Sequence, residues 1–69
     1  MARGYQILRF WSPLLGDEAM RLSMVDKQGD EHFMVLPAAR GKAYREAKAT
    51  ALEKIGQAIE AGHQPGEVA

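Results

Sequence analysis

His32 and His63 are the two histidines of the chain, and with no cysteine available they would have to anchor any metal or nucleophile-and-base chemistry. A metal site needs three or four converging ligands, so thiolate sets are excluded and a histidine site would need carboxylate partners. His32 falls in a segment of strand character and His63 in a short polar tail; a shared site would require the chain to fold back. The plain reading is a strand-edge histidine and a tail histidine. Ser12, Ser23 and Thr50 are the candidate hydroxyls besides the tyrosines, and none stands in a nucleophile-elbow or phosphate-loop pattern. The neighbouring carboxylates Asp17 and Glu18, like Asp30 and Glu31, lie in turn-forming stretches where solvation and turn hydrogen bonds explain them. These residues predict no catalytic group, no metal, no cofactor and no small-molecule substrate.

Charge points the same way. Nine Lys and Arg balance nine Asp and Glu, so no field acts across the whole surface to attract nucleic acid or membranes. Basic residues are nevertheless uneven, and Arg40, Lys42, Arg45 and Lys48 cluster around the start of a predicted helix, with Arg21 and Arg9 available from strands. They are candidate phosphate contacts, although such a run also suits a solvated helix face. No segment approaches the roughly 20 apolar residues needed to span a bilayer. Arg9 interrupts the apolar N-terminal run, which argues against a signal peptide, and a cytoplasmic location is expected.

The elements that would position these residues follow from periodicity. Tyr5 to Trp11 is aromatic and branched and reads as a strand ended by the Pro13 to Gly16 turn. Ala19 to Val25 alternates cleanly, with Met20, Leu22 and Met24 on one side and Arg21, Ser23 and Val25 on the other. Asp26-Lys27-Gln28-Gly29 has the order of a type I turn closed by a left-handed glycine. If Asp26 opposes Asp30, Met24 faces His32, Leu22 faces Met34 and Met20 faces Leu36. A loop one residue shorter or longer reverses that parity. The third strand, Asp30 to Leu36, stops at Pro37, which cannot donate to a ladder.

From about Lys42 to Ala61, apolar residues Tyr44, Ala47, Ala51, Leu52, Ile55, Ala58 and Ile59 recur at helical spacing, and Gly62 then Pro65 end the helix. The expected fold is α+β: a three-stranded antiparallel sheet followed by one long C-terminal helix packed on one face. Residues 1–62 form the single small domain and 63–69 a flexible C-terminal tail. The methionines suit a small core whose helix contributes mainly alanines, or an adaptable recognition surface.

The stretch Tyr44 to Val68, with its Glu46-Ala47 pair, alanine-rich helix, Gly62 and Pro65, resembles the end of the amino-terminal arm-binding domain of phage-type tyrosine integrases. That resemblance implies three antiparallel strands ahead of the helix, DNA contact through the sheet, and a phage or prophage origin. It carries no recombinase chemistry. The family's strands are rich in Lys and Arg, whereas Glu31 to Pro37 here is apolar.

A chain of 69 residues lies near the lower size limit for a self-sufficient core, and without cysteine the remaining staple is a partner subunit. Strand three carries apolar residues on both faces, while one helix covers only one. The primary expectation is therefore a non-catalytic protein-interaction module, a homodimer or a partner of another protein, using Phe33 and Val35 with Phe10 or Trp11 on the uncovered face. The alternative is a DNA-binding accessory module.

Overall fold

The computed structural model describes residues 4–68. Three strands, β1 (Tyr5–Ser12), β2 (Asp17–Val25) and β3 (Glu31–Pro37), precede the helix α1 (Gly41–Glu60), and a two-residue strand, β4 (Gly66–Glu67), follows it. The sheet order is β1-β2-β3-β4, antiparallel among the first three strands and parallel between β3 and β4.

The β2–β3 turn sets the register. Asp26 N donates to the Asp30 carbonyl at 2.9 Å and Gly29 N to the Asp26 carbonyl at 3.0 Å, while Gly29 has φ +86°. Asp26 also ties the turn with its side chain, whose Oδ1 accepts from Gln28 N and Asp30 N, each at 2.9 Å. Met24 then lies opposite His32, Leu22 opposite Met34 and Met20 opposite Leu36, as the turn chemistry predicts. A left-handed φ disfavours any residue with a Cβ, so Gly29→Ala is expected to cost about 1–2 kcal/mol. A lowered urea midpoint with unchanged slope would register the loss.

One face of the sheet meets the helix. Met20, Leu22, Met24 and Met34 from the sheet, with Ala51, Ile55 and Ala58 from α1, are buried, and Ile7, Leu36, Leu52 and Ile59 pack around them. Met20, Met24 and Met34 are core residues. The helix lies across β2 and β3, and Tyr44 and Lys48 reach over β1: Arg9 sits 5.6 Å from the Tyr44 ring centre and the Lys48 ammonium 5.7 Å from that of Tyr5.

The helix ends at Gly62 as expected, and the departure from the three-stranded plan is a fourth strand beyond it. Helix α1 closes with His63 N bonded to the Ala58 carbonyl at 3.0 Å and Gly62 N to that of Ile59 at 3.1 Å, Gly62 having φ +76°. This paired C-terminal closure turns the chain sharply. Instead of trailing from the domain, residues 63–68 run back beside β3, where Gly66 and Glu67 align with His32 and Phe33 and Val68 N donates to the Phe33 carbonyl at 2.7 Å; Ala69, the last residue of the expected tail, lies outside the described residues. Val68 packs on the core, which is the apolar gain that holds the segment. As a consequence β3 is an interior strand at His32, and that histidine is 1% exposed instead of lying at a strand edge.

Candidate protein interface

Alternation along the paired strands assigns each side chain to a layer. On the face away from α1, three cross-strand rows run across β1, β2 and β3: Phe10, Ala19 and Pro37; Leu8, Arg21 and Val35; Gln6, Ser23 and Phe33. Val25 and Glu31 extend it toward the turn. No element of the described residues forms a second layer here. Ala19 and Ser23 are nevertheless buried, because the larger side chains of β1 and β3 close over the short ones of β2.

Arg21 occupies the middle of this face. Its guanidinium holds Glu31 in a two-pronged ion pair, Nη2 to Oε1 at 2.8 Å and Nη1 to Oε2 at 3.1 Å, and its Cζ lies 4.1 Å from the Phe33 ring centre. The hydrogen-bonded fork holds the Glu31 carboxyl below its usual range and raises the Arg21 pKa further. Phe33 is thus half-buried beneath a cation, and Phe10 and Val35 are half-buried by their neighbours. On this face the most exposed apolar groups are Leu8, 60% exposed, and Val25, 63%. Sequence reasoning missed both as interface residues. The signal was present: Leu8 shares its face with Phe10, and Val25 follows Arg21 and Ser23 in the outward set.

Of the four residues expected at this surface, Phe10, Phe33 and Val35 lie together. Trp11 does not join them; its alternation places it on the side of Tyr5, Ile7 and Arg9, beyond the cover of α1, and it is 65% exposed. The candidate phosphate contacts also divide. Arg21 is on the helix-free layer and paired with Glu31, whereas Arg40, Lys42, Arg45 and Lys48 belong to the start of α1. Lys42 lies 3.9 Å from Glu46, and Lys48 stands over the Tyr5 and Tyr44 rings.

Among the described residues, His32 and Asp26 form a part-buried polar pair. The imidazole Nε2–H donates to Asp26 Oδ2 at 2.8 Å. That bond, with the Asp30 and Gln28 amides, holds the Asp26 carboxyl below its ordinary range. Asp26 lines an open groove with Gln28, Asp30, Ile59 and His63, but the His32 ring is sealed from it by burial and offers a reactant no access. Among the described residues no group of three or more His, Asp or Glu could hold a metal ion. No described helix is long and apolar enough to cross a membrane.

Comparison of the chain with family models, with curated proteins and with solved structures yields no match, so its functional reading rests on the helix-free face itself.

Proposed function

We propose that this chain is a non-catalytic protein-interaction module that works as a homodimer and presents the helix-free face of its sheet as the binding surface. One observation carries the reading: Leu8, Phe10, Phe33, Val35 and Val25 collect on a face that nothing in the described chain covers, while the core cluster of the described residues lies on the other side. Apolar residues gathered in this way mark an interface more often than scattered surface ones do. Stability adds a second reason. A domain of this size with no disulfide gains from a partner subunit. A reducing, cytoplasmic setting suits a chain without cysteine.

Sedimentation equilibrium at high micromolar concentration tests the self-association. A dimer mass is expected; a strict monomer overturns that part of the reading.

Contact with duplex DNA is the second reading, favoured by exposed Arg40, Lys42 and Arg45 at the start of a helix with no acidic residue in its first turn. It has less support, because Arg21 is committed to Glu31 on the opposite layer. DNA binding that weakens steeply with salt is its signature, and unchanged amide signals on addition of DNA at low salt would remove it.

A further inference from the structure

We infer that two copies of this chain pair through their β1 strands, antiparallel about a two-fold axis at Leu8, joining two four-stranded sheets into one of eight strands. This rests on the self-association reading and specifies where the copies meet.

The ladder shows which backbone groups are free. Asp26 N bonds the Asp30 carbonyl at one end of the β2–β3 ladder and Ala38 N the Glu18 carbonyl at the other. Between them, antiparallel alternation turns the backbone groups of Met20, Leu22 and Met24 toward β3 and those of Asp17, Ala19, Arg21 and Ser23 toward β1. Pro37, opposite Ala19, occupies a position that needs no ladder N–H, which agrees with this phase. The partners on β1 are Ser12, Phe10, Leu8 and Gln6. Tyr5, Ile7, Arg9 and Trp11 therefore aim their N–H and C=O groups outward.

The two edges of the sheet are treated differently. At the β3 side, β4 pairs with the strand's beginning and Pro37 closes its end. At the other side β1 runs eight residues with neither Pro nor Gly nor Lys, and no described element covers it. Its single charge is drawn away from the edge: Arg9 donates to the Ala39 carbonyl at 2.9 Å and lies 3.4 Å from Glu18. A long edge without the usual guards is a template for another strand.

A second copy of β1 fits that template better than a generic strand. A two-fold antiparallel pairing must oppose outward residues with outward residues. Centred on Leu8, it sets Tyr5 against the partner's Trp11 and Ile7 against the partner's Arg9, and it uses all four outward residues of each copy. Tyr5 and Trp11, 44% and 65% exposed in the single chain, become aromatic cross-strand pairs. Shifting the centre one residue toward Trp11 opposes the two Arg9 side chains. Shifting it one residue toward Tyr5 leaves Trp11 beyond the ladder. In the Leu8-centred register the two Leu8 residues form a non-hydrogen-bonded pair, the closest kind of side-chain contact in such a ladder. They meet on the helix-free layer beside Phe10, so the pairing merges two apolar faces into one continuous surface.

Single-cysteine variants test this directly, because the chain has no thiol of its own. The Leu8 Cα atoms would lie roughly 4.5 Å apart across the axis, within the span of about 4.4–6.8 Å that a disulfide bridges. Leu8→Cys is expected to form a covalent dimer under mild oxidation. At ~10 micromolar chain it should do so roughly a hundredfold faster than Leu14→Cys, since docking holds the thiols at an effective millimolar concentration. Leu14, 99% exposed in the β1–β2 turn, reports random collision. Equal slow rates for the two overturn the pairing. Val35 lies two strands from the β1 edge, so fast cross-linking of Val35→Cys, with Leu8→Cys fast or slow, means that the copies stack face to face, so that the homodimer stands and the edge pairing fails. Slow rates for all three with a monomer mass in sedimentation remove both.

Discussion

Leu22→Ala is expected to leave most of the chain unfolded at room temperature. Leu22 is fully buried at the centre of β2, opposite Ile7 on one side and Met34 on the other, and it belongs to the cluster roofed by Ala51 and Ile55 of the helix. Truncating such a leucine removes its transfer energy and opens a cavity, about 2–5 kcal/mol together. The surroundings have little means to collapse into that space, because two of the helix's three buried residues are alanines already. A single small core without staples supplies only about 3–5 kcal/mol in all. Helical circular dichroism followed through a urea titration should show a loss of baseline signal and no clear native plateau. Val25→Ala is the matching control, 63% exposed and expected to stay within about 0.5 kcal/mol of the parent. If association supports folding, raising the protein concentration will partly restore Leu22→Ala, since a partner binds only the folded state.

The β2–β3 hairpin was readable because its information is local. Asp26 and Gly29 fix the loop length, loop length fixes parity, and parity decides that Leu22 and Met34 face the helix while Phe33 and Val35 face away. The helix was readable for a similar reason, its apolar stripe recurring at spacings of three and four from Tyr44 through Ala51, Ile55 and Ala58 to Ile59. The fourth strand was not. Gly66 and Glu67 have no strand propensity, and their conformation comes from where the Gly62 closure aims the chain and from Val68 finding the core. Val68, a lone apolar residue after a Pro-Gly pair, was the only local hint. Arg21 teaches the opposite lesson. Its parity already separated it from the basic residues of the helix, and grouping them by charge alone joined residues that the sheet divides. The parity that set His32 opposite Met24 already put it on the helix side, whereas the β4 pairing that makes β3 interior at His32 was not legible.

The Asp26–His32 pair yields a prediction in which removing more side chain should do less harm. Asp26→Ala takes away the acceptor for His32 Nε2–H, whose Nδ1 already has no hydrogen-bond partner among the described protein groups. An imidazole N–H stranded at a site 1% exposed costs about 1–3 kcal/mol. Adding His32→Leu replaces the stranded ring with an apolar side chain beside Met24, so the double variant should recover most of that loss. It will not recover all, because the Gln28 and Asp30 amides still lack their carboxylate. A double variant no more stable than Asp26→Ala would show that the histidine contributes through packing and not through its bond. Acid gives an independent reading of the same pair. Hydrogen bonds to the charged form, that from His32 first, lower the Asp26 pKa in the folded chain below its ordinary 3.8. A depressed carboxylate stabilises the fold fully above its unfolded value and loses that contribution as pH falls through the folded one. Glu31, held down from 4.5 by Arg21, acts in the same direction. Wild-type stability should therefore decline as pH drops from about 4.5 through and below 3.8. Asp26→Asn keeps the turn's shape but removes one of the two titrations, so its stability should fall less steeply over that interval, while an unchanged slope would assign the acid sensitivity to Glu31 alone.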